Sequence, residues 1–230
     1  MTPVVLVPGL LCSAEIWTSQ LAALWSYGPV QIASTTEGTS VGELAALILD
    51  AAPPRFALAG ISMGGYLCFE IMRQAPQRVL KLALLDTSAL PDTPEQSDGR
   101  RQLVEQLRGG DFETLVGDAL TAILHPAHQH DPGLRAINVR MGTTVGLDGF
   151  ARQTEAAITR PDSRPTLPTI DVPTLVLVGD ADPLTPLERA EEIAAGIENS
   201  TLVVIDECGH GSTLEQPEAV TAALVDWIRR

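Results

Sequence analysis

Cysteine is scarce in this chain: Cys12, Cys68 and Cys208 are all that its 230 residues contain. Three thiols so widely scattered build neither a disulfide framework nor a zinc site of ordinary ligand spacing. They read as reduced packing residues, and the protein as cytoplasmic. Basic side chains are also few, 15 against 29 acidic ones, for a net charge of −14. A surface of that sign repels phosphate backbones and anionic lipid, which argues against nucleic acid and membranes as partners. There is no long uncharged apolar run, no basic leader, no internal repeat and no low-complexity tract. The chain enters Met1-Thr2-Pro3-Val4-Val5-Leu6-Val7 at once, and nothing in it targets export. His125, His128 and His130 beside Asp131 are a metal-like group by type. They fall in a Pro-broken connection without further ligands and read as solvated surface, so neither metal nor cofactor is expected.

What is present is apolar patterning. Hydrophobic residues make up 45% of the sequence, enough for one domain, or one domain with an inserted lobe. Val4 to Val7, Val30 to Ala33, Phe56 to Ala59, Val79 to Leu85, Thr174 to Val178 and Leu202 to Ile205 read as strands. Helical segments alternate with them, which implies a parallel sheet with right-handed crossovers. Ser40 with Glu43 three residues on is a capping box opening a helix that runs to Pro53. The segment after Phe56 to Ala59, Tyr66 to Ala75, is apolar nearly all round and suits a central buried helix.

The alternation breaks between Pro91 and Pro168. Glu95 to Leu107, Phe112 to Leu124, Pro132 to Met141 and Leu147 to Thr159 read as helices, separated at Gly109-Gly110, His125-Pro126 and Gly142. The expected organisation is a core of residues 1–90 and 166–230 with an inserted helical cap, or lid, of residues 91–165.

The chemistry concentrates at Ala59-Gly60-Ile61-Ser62-Met63-Gly64-Gly65. A GxSxG pattern between a strand and a helix is a nucleophile elbow: Ser62 sits on a sharp, strained turn at a helix N-terminus, and side chains at Gly60 or Gly64 would strike neighbouring backbone. A serine hydroxyl needs a base, usually histidine oriented by a carboxylate, and both must come from loops at the same sheet edge. Two later strands run into Gly179-Asp180-Ala181-Asp182-Pro183-Leu184-Thr185-Pro186 and Asp206-Glu207-Cys208-Gly209-His210-Gly211. Asp180 and Asp86 are alternative acids to Asp182. Cys12 and Cys208 lie close enough to these loops to be weighed as thiol nucleophiles, but lack the surroundings of one.

With Ser62, Asp182 and His210 in that chain order, the sequence resembles the α/β-hydrolase superfamily along essentially its whole length. GISMGG, GDADPLTP and CGHGSTLEQPEAV match the family's elbow, acid loop and histidine loop. The groups it looks most like are small capped carboxylesterases, such as pimeloyl-carrier-protein methyl ester esterases, and 3-oxoadipate enol-lactonases. The resemblance implies an α/β-hydrolase fold: a mostly parallel sheet of about six strands flanked by helices, with an inserted α-helical cap lobe. It implies Ser62 as nucleophile, His210 as base and Asp182 as orienting acid, with backbone amides of Met63 and Leu10 as oxyanion hole and Leu11 as the neighbouring option. Leu11, Leu124, Met141 and Phe150 are candidates for the substrate pocket. The implied reaction is hydrolysis of a small-molecule carboxylic ester or enol lactone through an acyl-enzyme. An acyltransferase and a non-catalytic ligand-binding protein are the alternatives. Two features depart from the family. Pro8 stands where a histidine usually precedes the oxyanion-loop glycine, and the first strand corresponds to the family's third, so the sheet should place the second strand outside the first and the elbow strand on its other side.

Overall fold

Short strands that are apolar on both faces need cover on both, and this chain supplies it with helices. The computed structural model describes residues 1–230. Its strands are β1 (Val4–Val7), β2 (Val30–Ile32), β3 (Phe56–Ile61), β4 (Val79–Leu85), β5 (Thr174–Gly179) and β6 (Ser200–Ile205). They form one sheet in the order β2-β1-β3-β4-β5-β6, with every neighbouring pair parallel. The six strands and the places of β2 and β3 are those expected from the sequence. The direction of winding reverses between β1 and β3, so the loops leaving these two strands flank the crevice where parallel sheets bind ligands.

The helices are α1 (Thr18–Trp25), α2 (Val41–Ala51), α3 (Met63–Gln74), α4 (Pro94–Gly109), α5 (Phe112–Ala122), α6 (Pro132–Ile158), α7 (Leu187–Gly196), α8 (Ser212–Glu215) and α9 (Pro217–Arg229). Alternate strand residues feed two apolar layers. Val5, Val7, Leu58 and Leu84 join α2, α3 and α7 in one, while Val4, Leu6, Ala59 and Leu85 join α1 and α9 in the other. In α3, Leu67, Phe69 and Ile71 are fully buried. Each such side chain contributes about 1.5–3 kcal/mol relative to exposure. The helix under the elbow is thereby fixed.

Helices α4, α5 and α6 stand between β4 and β5 and pack on one another through Val104, Leu107, Val116, Val145 and Phe150, with Leu11 of the β1 loop among them. The sequence predicts a break at Gly142, but α6 runs through it and kinks at Gly146, where φ is 69° and ψ 167°. Gly142 has a packing role instead: a Cβ there would run into the Val116 side chain of α5. The predicted capping box at Ser40 forms by half. Ser40 Oγ accepts from the Glu43 amide, but the Glu43 carboxylate takes the amide and hydroxyl of Thr39. A complete box opens α4 instead, between Thr93 and Gln96.

Candidate active site

Strand β3 ends at Ile61 and α3 starts at Met63, so Ser62 alone makes the turn, at φ 55° and ψ −118°. A non-glycine residue is held there only because its surroundings over-determine it. Its amide donates to Leu85 O at 2.9 Å, and its carbonyl accepts from the Thr87 hydroxyl at 2.8 Å. A Cβ on Gly60 would meet the Gly64 carbonyl and Cys68, and one on Gly64 would meet the Val7 carbonyl. Both glycines are therefore steric requirements of the turn.

His210 Nε2 lies 2.8 Å from Ser62 Oγ, and His210 Nδ1 lies 2.8 Å from Asp182 Oδ2. A carboxylate only accepts, so Nδ1 carries the proton and the Nε2 lone pair faces the serine. Asp182 is itself fastened. Its Oδ1 accepts from the amides of Leu184 and Thr185 at 2.8 and 2.9 Å, and its Oδ2 from the Thr185 hydroxyl at 2.7 Å. Burial alone would raise this carboxyl, but the charge and hydrogen bond of His210, with the Thr185 donors, outweigh it and hold it at about 2. His210 moves the other way. Burial disfavours its cation, but Asp182 first, then Asp86 and Glu215, favour it more, and its pKa rises.

The other candidate acids are engaged elsewhere. Asp180 accepts from the Cys208 amide at 2.9 Å, which ties the acid loop to the histidine loop. Asp86 is fully buried at φ 45° and accepts from the amides of Gly179 and Ser212 at 3.2 and 3.3 Å. Burial and the nearby Asp182 charge push its carboxyl up to about 7. It braces both loops without touching the imidazole. Glu215 of α8 braces the histidine loop too. Its Oε1 accepts from the amides of Gly209 and Gly211, both at 3.0 Å, and its Oε2 from the His125 amide at 2.7 Å, with His128 Nδ1 2.9 Å away. His125 and His128 are thus partly buried struts rather than the solvated surface expected, while His130 is exposed. No group of three or more His, Cys, Asp or Glu side chains is arranged to hold a metal ion.

Gly9 brings the β1 loop against the serine: a Cβ there would lie 3.2 Å from both Ser62 Cβ and Ile61 O. The Met63 amide, at the first position of α3, is one of the N–H groups that a helix leaves without an internal partner. Leu11 is already committed. At φ 58° it donates its amide to Gln153 Oε1 at 3.0 Å, while Gln153 Nε2 donates to Thr35 Oγ1 at 2.9 Å. Gln153 is 0% exposed, on the second half of α6. Of the two amides left open by the sequence, Leu10 is the one without a side-chain acceptor.

A cavity of about 460 Å³ opens over Ser62 and His210. Leu10, Leu11, Leu124, Met141 and Phe150, named from sequence, all line it. So does Asn138, which is buried with its Nδ2 unpartnered. Cys12 also reaches the wall, but burial pushes its thiol up to about 12 and Cys208 is raised for the same reason, so neither carries thiolate near neutrality.

A sharp serine turn after a parallel strand, with histidine and aspartate delivered by the ends of later strands, defines a chain of the α/β-hydrolase class. Residues 43–217 match the family model for the alpha/beta hydrolase fold, and the chain belongs to that family. It is 29% identical over 178 residues to 3-oxoadipate enol-lactonase 2 of Acinetobacter baylyi, a match covering 77% of this chain and 65%, just under two thirds, of the lactonase. It is 27% identical over 241 positions to a pimeloyl-[acyl-carrier protein] methyl ester esterase of Pectobacterium atrosepticum, covering 97% and 93% of the two. A malate-bound thermophilic esterase from Thermogutta terrifontis has a TM-score of 0.89 and 30% identity, over 100% of this chain and 90% of that one. No helix here is long and apolar enough to cross a membrane.

Proposed function

We propose that the protein is a serine hydrolase that cleaves a small or medium carboxylic ester, or a lactone, through an acyl-enzyme. The observation that carries this reading is the unbroken relay from Ser62 Oγ through His210 to Asp182, with 2.8 Å at each step, on the wall of a cavity. Its relatives' names, an enol-lactonase and an esterase, supply the substrate class.

His210 takes the Ser62 proton as Oγ attacks the substrate carbonyl. The oxyanion that forms is met by the amides of Met63 and Leu10, at the positive end of α3. One such donor is worth roughly a hundredfold to a thousandfold in kcat. The protonated imidazole, stabilised by Asp182, passes its proton to the leaving oxygen, and water then repeats the cycle on the acyl-serine. Residues 91–165, carrying α4 to α6, act as the cap that excludes solvent and limits substrate size.

The test is Ser62→Ala, scored by turnover of 4-nitrophenyl esters of several chain lengths and by covalent labelling with a fluorophosphonate. Both should vanish. Labelling that survives at the wild-type rate contradicts the assignment.

A further inference from the structure

Acidic residues outnumber basic ones 29 to 15 in the chain. On the cavity wall the balance inverts. Three arginines line it, Arg100, Arg160 and Arg189, against one acidic residue, Asp92. The aspartate is spent on two of them: its Oδ2 accepts from Arg100 Nε and its Oδ1 from Arg160 Nη1, both at 2.6 Å. Its side chain is 0% exposed while that of Arg100 is 28% exposed, so the carboxylate stands behind and a guanidinium in front. Two guanidiniums on one carboxylate leave a positive charge over. The half-buried Arg189 has a guanidinium with no ion pair or hydrogen bond to the protein, and it adds another. Arg160 is further fixed by stacking 4.1 Å above the Tyr66 ring and by donating to the Leu90 and Ala157 carbonyls.

These groups share one side of the site. Asp92 and Arg100 follow β4, Arg160 precedes β5 and Arg189 follows it, and β4 and β5 are neighbours in the sheet. Ser62 lies at the end of β3, next to β4. All three arginines line the same cavity as Ser62. A half-buried, unpaired arginine costs desolvation that nothing in the free protein returns. Guanidinium forks match carboxylates in shape and charge.

Resting on the hydrolase reading, we propose that Arg189 and Arg100, with Arg160 holding Asp92 back, form a subsite for a carboxylate on the substrate, in the cavity that also holds Ser62 and His210. The substrate is then an anionic ester or lactone. Specificity for a negative ligand in so acidic a protein is local, written in these three side chains.

The experiment compares kcat/KM for matched pairs: mono-4-nitrophenyl adipate with 4-nitrophenyl hexanoate, and 4-butyryloxybenzoate with phenyl butyrate. In at least one pair the carboxylated ester should be favoured by about tenfold or more, as expected for a hydrogen-bonded charge, and added salt should narrow the ratio. Arg189→Gln and Arg100→Gln should each cut that ratio about tenfold. Arg55→Gln, which removes the same charge from the exposed residue just before β3, should leave it alone. Arg189 has no partner to strand, so its variant carries the test even if Arg100→Gln does not fold. A wild type that favours the neutral ester in both pairs, or a preference that survives in Arg189→Gln, overturns the proposal. If wild type turns over none of the esters, the hydrolase reading fails separately. Calorimetry of Ser62→Ala with monomethyl adipate then decides the subsite, which stands if binding is lost on adding Arg189→Gln and falls if it is not.

Discussion

Replacing Gln153 with methionine keeps the side chain's length and deletes both of its hydrogen bonds. The Leu11 amide is then a buried donor without an acceptor, a cost of about 1–3 kcal/mol. For a chain of this size that corresponds to a fall in Tm of roughly 2–12 °C. The larger effect should be on the reaction. Leu11 is held at φ 58°, a conformation a leucine leaves once its restraint is gone, and the neighbouring Leu10 amide moves with it. Loss of one oxyanion donor sets the ceiling, so kcat should drop about tenfold to a hundredfold, with KM nearly constant. Gln153→Glu separates bracing from packing. Its protonated carboxyl can accept from Leu11 and donate to Thr35 as the amide does, while its carboxylate puts a negative charge beside the developing oxyanion. Burial favours the neutral form and raises its pKa, so the activity of Gln153→Glu relative to wild type should improve as pH falls. Stopped assays across pH, paired with thermal melts, read both quantities. Full kcat in Gln153→Met despite a lowered Tm refutes the positioning role and leaves Gln153 as a structural strut.

The acid limb of the kcat/KM profile should lie above the ordinary histidine pKa of about 6.5, because His210 is raised. Since the Asp86 charge contributes to that rise, Asp86→Asn should move the limb to lower pH; no movement counts against the coupling. In stability, Asp182 is depressed to about 2, so its contribution is complete above the unfolded carboxylate value and is lost as pH falls from about 4 toward 2. Urea melts of wild type and Asp182→Asn over that window should converge. Iodoacetamide near neutral pH should leave activity intact, because burial keeps the Cys12 thiol protonated; rapid inactivation with alkylated Cys12 would contradict this. Gly142→Ala drives a methyl into Val116 and should lose about 1–3 kcal/mol, recovered in good part by adding Val116→Ala, as a double-mutant cycle in melting experiments would read.

Strands and their order were legible because all but β2 are short apolar runs closed by Pro, Gly or Asp, and because an alternating chain admits few topologies. The elbow was legible for a related reason: Gly60 and Gly64 are there for sterics that any glycine-flanked serine turn shares. What sequence left open were choices between like residues. Asp180 and Asp182 differ by two positions, and only the fold sends one to the Cys208 amide and the other to the imidazole. Gln153 and Glu215 were passed over because a polar residue on a helix usually faces water. Their partners lie up to 142 positions away, and no local pattern marks such a contact. Gly142 and Gly146 look alike as helix breakers. One is small for a neighbouring helix and the other bends the backbone, a distinction that exists only after α5 and α6 have packed.

The proposed mechanism requires an acyl group carried on Ser62. Samples quenched in acid during turnover of a 4-nitrophenyl ester, digested and mapped by mass spectrometry, test it directly. The added acyl mass should appear on the peptide containing Ser62 and on no other, and should be absent from Ser62→Ala. An adduct on Cys12, or turnover that persists in Ser62→Ala, would contradict it.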